Sequence, residues 1–297
     1  MGNRFKITAV AEYEDYANNC IDAAITEIQR IEKLLTTFNE ESETCLINKN
    51  AGLAPVQVCA ETFRLIQRSI RISRITQGAF DISYGSVDKD LWNFNTQMKS
   101  LPNSLTASRM VRLINYRNII LDDENSTVFL KEAGMRIGFG GIGKRYAAER
   151  AKIIMREMGI ENGIINASGD LAIWGHQPNG EDWTIGIVNP NQAGQPFSLQ
   201  NLNDMAIATS GNYEKYVLIN GKKYSHTINP RTGMPVTGIK SVTIISPNAE
   251  IADAMATPVM IMGIEAGLDM VNQIQNLEAI LIDDEYRIYS SNNIRFN

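Results

Sequence analysis

Apolar and polar positions alternate at the start of the chain, where Phe5, Ile7 and the run Ala9 to Ala11 predict a strand. The spacing then changes. From Asp15 to Leu35, residues Ile21, Ala24, Ile25, Ile28, Ile31 and Leu35 recur three or four apart, which predicts a long amphipathic helix. The polar segment Thr36 to Asn50 breaks that period and is expected to be a loop. A second helix is expected over Glu61 to Thr76, from Phe63, Ile66, Ile70 and Ile75, with Gly78 as its stop. Gly78 to Pro102 shows little periodicity but carries Phe80, Tyr84, Trp92 and Phe94, and so predicts a packed, functional loop.

The second half reads differently. Asn118 to Leu121 and Thr127 to Leu130 flank Asp122-Asp123-Glu124-Asn125 as a hairpin, and a helix is expected from Lys144 to Met158. Strands follow at Ile164 to Asn166, Leu171 to Trp174, Trp183 to Val188, Ala206 to Ala208, Lys215 to Ile219, Lys223 to His226 and Val242 to Ile245, with Asn220-Gly221 as a two-residue turn. Helices return over Ala249 to Met262 and Ile264 to Ile274. A terminal hairpin, Ala279 to Ile282 with Arg287 to Tyr289, turns around Asp283-Asp284. Helices bracketing a strand-rich centre predict an α+β fold of mostly antiparallel sheets flanked by helices, in two intimately packed lobes that make one domain over residues 1–297.

Composition narrows the function classes. With 44% hydrophobic and 21% charged residues the chain is expected to bury a sizeable core, which excludes a disordered or fibrous protein. A formal charge of -5 lacks the basic field that nucleic-acid binding needs, so DNA and RNA are not expected partners. Cys20, Cys45 and Cys59 form no CxxC pair and support neither a disulfide framework nor a cysteine zinc site. No apolar run is long enough for a membrane span, and Met1 to Thr8 has no apolar signal core, so a cytoplasmic location is expected if the chain is complete.

Five segments could carry chemistry. Gly138-Phe139-Gly140-Gly141-Ile142-Gly143-Lys144 precedes a predicted helix, so bare backbone, helix N–H groups and the Lys144 charge could receive a phosphate; the glycines could equally serve tight packing. Asp253 and Thr257 in Ala252-Asp253-Ala254-Met255-Ala256-Thr257 are four apart on a helix and put a carboxylate and a hydroxyl on one face. Such hard oxygens suit Mg²⁺, and they could also be a helix cap and its back-bonded threonine. His226, beside the Pro/Gly-rich turn of Tyr224 to Pro235, could accept a proton or hold structure. Thr209-Ser210-Gly211 could bind ribose or phosphate or only make a turn, and Ser168-Gly169-Asp170 adds a carboxylate at another turn.

Taken in order, these motifs resemble the ApbE family of Mg²⁺-dependent FAD:protein FMN transferases, over essentially the whole chain. The matching elements are SHTINPRTGMPV at 225–236, ATSGNY at 208–213, ADAMAT at 252–257, GAFDIS at 78–83 and LWNF at 91–94. The resemblance implies FAD as substrate, bound in a cleft between two lobes, and a threonine-containing acceptor protein. It implies Mg²⁺ held by Asp253, Thr257 and the carbonyl of Gly143, with Lys144, His226 and Asp253 in catalysis. Flavin dinucleotide contacts would come from Phe38, Asp81, Gly140, Gly141, Lys144, Ser168, Gly169, Asp170, Thr209, Ser210, Gly211 and His226. Hydrolysis of FAD to FMN and AMP, and FAD binding without catalysis, are the alternatives. A periplasmic or membrane-anchored location is implied if a signal has been removed. The chain departs from the family pattern where Gly138 stands in place of a usual aspartate, Arg145 and Ser168 each replace a glycine, and Phe38 replaces a tyrosine.

Overall fold

A computed structural model describes residues 4–88, 100–188, 196–212 and 216–294. In chain order, β1 (Phe5–Val10) leads into α1 (Glu14–Leu35), α2 (Glu43–Lys49), β2 (Val56–Gln57) and α3 (Ala60–Ile75). A 3₁₀ turn at Ile82–Ser86 comes before α4 (Ser104–Met110), and a second at Tyr116–Asn118 before β3 (Ile119–Asp122) and β4 (Thr127–Leu130). Next come α5 (Gly143–Glu157), β5 (Asn162–Ala167), β6 (Asp170–Trp174), β7 (Trp183–Val188), β8 (Pro196–Leu202) and β9 (Ala206–Gly211). The chain ends with β10 (Tyr216–Ile219), β11 (Lys222–Ser225), β12 (Ile239–Ser246), α6 (Ala249–Met262), α7 (Ile264–Asn272), β13 (Glu278–Asp283) and β14 (Ile288–Ser290).

These elements form two compact units, each built from separate stretches of chain. One holds residues 1–32, 142–211 and 238–297, and the other holds 33–141 and 212–237. The first unit is a seven-stranded sheet in the order β1-β5-β6-β9-β12-β13-β14, antiparallel at each of its strand pairs. Strand β12, an interior strand next to the central β9, is buried along nearly its whole length, because α6 covers both. Ile173, Leu202, Ile207 and Ile245 gather into one apolar cluster of this unit. The second unit carries the sheet β2-β4-β3 and the hairpin β10-β11, with α3 and α4. Met110, Val111 and Ile228 form a cluster there.

The placement of α6 decides where the site residues point. Asn248 caps the helix, its Oδ1 accepting the Ile251 N–H at 3.1 Å, and the Ala249 N–H donates to Glu149 Oε2 of α5 at 2.9 Å. Two free N–H groups of the first turn are thereby satisfied, and the start of α6 is pinned against α5. Glu149 is in turn neutralised by Lys152 at 2.7 Å.

The α+β class and its antiparallel sheet stand as expected, and several elements do not. Thr36 to Asn50 is not all loop, since Ser42 caps α2 by accepting the Cys45 N–H at 3.1 Å. Only Thr44 and Ile47 of this seven-residue helix are buried, too few to leave a period in the sequence. Helix α4, capped by Asn103, and strand β8 were not anticipated either. Trp92 and Phe94 lie outside the described residues, whereas Phe80 is buried as the dense aromatic segment suggests.

Candidate functional site

In the first unit, α5, α6, β6 and β9 bring four predicted site segments together. Ala167 pairs with Asp170 across a two-residue turn in which Ser168 (φ 62°) and Gly169 (φ 104°) are both left-handed. That conformation suits the hairpin twist and is costly for most side chains, and Asn166 Oδ1 steadies it by accepting the Gly169 N–H at 2.8 Å. The turn places Asp170 at the start of β6, where its Oδ1 accepts the Thr209 N–H of β9 at 2.9 Å. Asp170 thus holds the Thr209-Ser210-Gly211 segment in position. The Thr209 hydroxyl meets that of Thr243 at 2.9 Å, and the Ser210 hydroxyl meets that of Thr257 at 3.2 Å. The two pairs lie on opposite faces of β9, and the Thr-Ser-Gly and ADAMAT segments meet at the Ser210 and Thr257 hydroxyls.

Asp253 stands one turn before Thr257 on α6. Its side chain is 14% exposed, and its Oδ2 is buried without a hydrogen-bond partner. Burial pushes its carboxyl above the usual carboxylate range, opposed by the charges of Arg145 and then Lys144. A buried carboxylate oxygen that accepts nothing, beside a threonine hydroxyl, is the donor chemistry a hard divalent cation takes, so these residues fit Mg²⁺.

Arg145 brings a positive charge to these carboxylates. Its guanidinium donates to Asp170 Oδ2, and its Nη1 lies 3.6 Å from Asp253 Oδ2. The sequence offers Arg145 only as a bulky replacement for glycine; the structure buries it between two aspartates. A basic residue in the first turn of a helix opposes the helix dipole, and that was the available sign that carboxylates must surround it. Lys144 precedes it at partial exposure, and Gly143 begins the helix buried. No side chain caps this end of α5.

The remaining candidates belong to the second unit. Gly140 and Gly141 are exposed, and a Cβ added at Gly140 would meet nothing within 4 Å, so open space lies over the loop. Phe38 is 98% exposed. His226 is exposed immediately after β11. The turn that follows is rigid: Asn229 Oδ1 accepts the Arg231 N–H at 2.9 Å and its carbonyl accepts the Gly233 N–H at 2.8 Å. Gly233 (φ 70°) admits no other residue, since an added Cβ would lie 2.2 Å from the Ala107 carbonyl oxygen. Tyr84 Oη accepts the Ile228 N–H at 3.3 Å.

Asp81 is 8% exposed and fully engaged by its own chain. Its Oδ1 accepts the Ser83 N–H at 2.8 Å and the Ser83 hydroxyl at 2.6 Å, while Oδ2 accepts the Tyr116 N–H at 2.7 Å. It borders a cavity of about 360 Å³ that is also lined by Asn115, Arg112, Arg117, Pro230 and Arg231. Of the two histidines, His176 takes no part in these arrangements and pairs with Asp182 at 3.2 Å.

Comparison with known proteins bears on the whole chain. The model of the ApbE family matches residues 1–281. A protein of Klebsiella pneumoniae named FAD:protein FMN transferase is 32% identical over 257 residues, which cover 86% of this chain and 79% of that one. The crystal structure of the ApbE protein from Thermotoga maritima superposes with a TM-score of 0.87 at 28% identity, covering 98% of this chain and 94% of the other. The flavin transferase ApbE of Vibrio cholerae shares the fold, with a TM-score of 0.82 at 24% identity over 98% and 94% of the two chains. Sequence and fold agree along its length, and the chain belongs to the ApbE family.

Proposed function

We propose that this protein is an FAD:protein FMN transferase that splits the diphosphate of FAD, leaves FMN on a threonine hydroxyl of an acceptor protein, and releases AMP. The observation that carries this reading is the Klebsiella pneumoniae relative of that name, 32% identical over 86% of the chain. The grouping of Asp253, Thr257 and Ser210 supports it, because a buried acceptor-only oxygen beside hydroxyls suits a diphosphate and its counter-ion.

Asp253 and Thr257 would hold Mg²⁺, with the Gly143 carbonyl as a third ligand by family resemblance. Bound there, the ion supplies neutralisation of charge on the phosphoryl oxygens. The chain's own groups do the rest. Lys144 positions the diphosphate at the start of α5, next to the exposed Gly140 and Gly141 in sequence. His226, exposed on a segment stiffened by the Asn229 turn, takes the proton from the acceptor hydroxyl. That oxygen forms a bond to the FMN phosphorus as the bridging P–O bond breaks, and the electron pair leaves with AMP. Phe38 offers an exposed ring on which a flavin can stack.

The test is incubation with FAD and Mg²⁺, with and without a threonine-bearing acceptor, followed by intact-mass measurement of the acceptor and assay of AMP. An FMN adduct on the acceptor is expected. AMP formed at full rate without acceptor would make the protein an FAD hydrolase, and intact FAD under both conditions would make it a flavin-binding protein.

A further inference from the structure

Arg145 occupies the third position of α5, where a positive charge faces the positive end of the helix dipole. It is nonetheless only 11% exposed, so the aspartates must hold it there. They do so unequally. Asp170, 6% exposed, accepts a direct hydrogen bond from the guanidinium and is itself fixed by the Thr209 N–H at 2.9 Å. Asp253 is reached only by Nη1 at 3.6 Å, too long for a hydrogen bond, and its Oδ2 accepts none. The Nε of Arg145 is likewise buried without a partner. A pair serving structure alone would close to hydrogen-bonding distance, because a buried carboxylate oxygen left unbonded is costly.

We propose that Arg145 is a resident counter-ion of Asp253, anchored by Asp170, which a divalent cation must outcompete to reach that carboxylate. This rests on the reading of Asp253 as the metal-binding aspartate. The guanidinium keeps its hydrogen bond to Asp170 when it yields Asp253, so the exchange needs no unfolding of α5. Arg145 neutralises Asp253 when the ion is absent and lowers its affinity for the ion. In this arrangement Arg145 and Asp170 are positioning residues.

The experiment is binding of Mn²⁺, followed by EPR of the free ion, and of Mg²⁺, followed by calorimetry, to the full chain without flavin. Arg145→Met, which keeps the aliphatic packing and removes the charge, is expected to tighten binding about tenfold or more, the scale on which neighbours of a metal ligand act. Asp170→Asn, which loosens the anchor and frees the guanidinium to close on Asp253, is expected to weaken it. Unchanged or weaker binding in Arg145→Met overturns the proposal. A wild-type measurement guards against misfolding of the variants: the Arg145 Nε–H resonance is expected to move on Mg²⁺ titration with the midpoint of binding, and a static resonance overturns the proposal. Asp253→Asn separates the two layers. If it binds metal as the wild type does, the metal reading of Asp253 fails and takes the proposal with it. If it abolishes binding while Arg145→Met changes nothing, the metal reading stands and the counter-ion role alone fails.

Discussion

Asp81 and Asp253 are both aspartates taken out of water, one in each unit, and their surroundings have opposite character. Asp81 accepts three hydrogen bonds from its own chain, so both oxygens are used in joining the Ile82–Ser86 turn to the turn at Tyr116. Asp253 has an oxygen that accepts none, and the nearest cation keeps its distance at 3.6 Å. Burial raises the pKa of both. The difference lies in what repays the cost of burial: at Asp81 the fold does so, and at Asp253 the fold leaves part of it outstanding. A carboxylate of the first kind holds structure, and under the proposed function one of the second kind takes a ligand.

The sharpest way to break this contrast is to delete each carboxylate and read activity and stability separately. Asp253→Ala is expected to lose roughly a hundredfold or more in flavin transfer, corresponding to about 3 kcal/mol of transition-state stabilisation. Its urea midpoint is expected to stay within about 1 kcal/mol of wild type, since no hydrogen bond is lost and Arg145 keeps Asp170. Transfer at the wild-type rate would show that the unpaired oxygen serves no ligand.

Asp81→Ala is expected to do the reverse, costing about 2–4 kcal/mol in urea unfolding because the buried Ser83 and Tyr116 N–H groups lose their acceptor. A rise in the KM for FAD at unchanged stability would instead support the flavin contact that family resemblance implies for Asp81. Its titration gives the sign a second time. The folded chain holds the Asp81 proton to a higher pH than the unfolded chain, so the stability tied to this group is complete below the unfolded value near 4 and declines as pH rises through the raised native value. Urea midpoints between pH 4 and 7 are expected to favour wild type over Asp81→Asn increasingly toward acid. Parallel curves would mean that Asp81 titrates as an ordinary surface carboxylate.

How much of this was legible depended on distance along the chain. Helix α6 was predicted with its observed bounds, and in the structure Asn248 caps its start and Gly263 its end. The pairing of Asp253 with Thr257 follows from helical spacing alone. The cation facing Asp253 does not: Arg145 meets Asp170 across 25 residues, and only the packing of α5 and α6 with β6 and β9 brings the three side chains together. The structural role of Asp81 was out of reach for the same reason, since its acceptance of the Tyr116 N–H spans 35 residues and no local pattern records it. Helix α2 escaped notice because a polar two-turn helix held by its Ser42 cap has no apolar stripe to display.

The smallest effect tests whether the stiffness of the histidine segment belongs with Asp81 or with Asp253. Tyr84 Oη accepts the Ile228 N–H at 3.3 Å, two residues beyond His226, so its hydroxyl is used by the fold as Asp81 is. Tyr84→Phe removes that one long bond and is expected to cost only about 0.5 kcal/mol at pH 7, read from urea midpoints. Tyr84 is 37% exposed as a whole, but loss of water around its hydroxyl pushes the phenol up to about 12, and the unfolded chain therefore ionises this group first as pH rises past 10. The advantage of wild type over Tyr84→Phe is expected to shrink between pH 10 and 12, above the window in which Asp81 acts. If the deficit of Tyr84→Phe instead appears in transfer rate with unchanged midpoints at every pH, the hydroxyl sides with Asp253, as a group whose partner is the reaction rather than the fold.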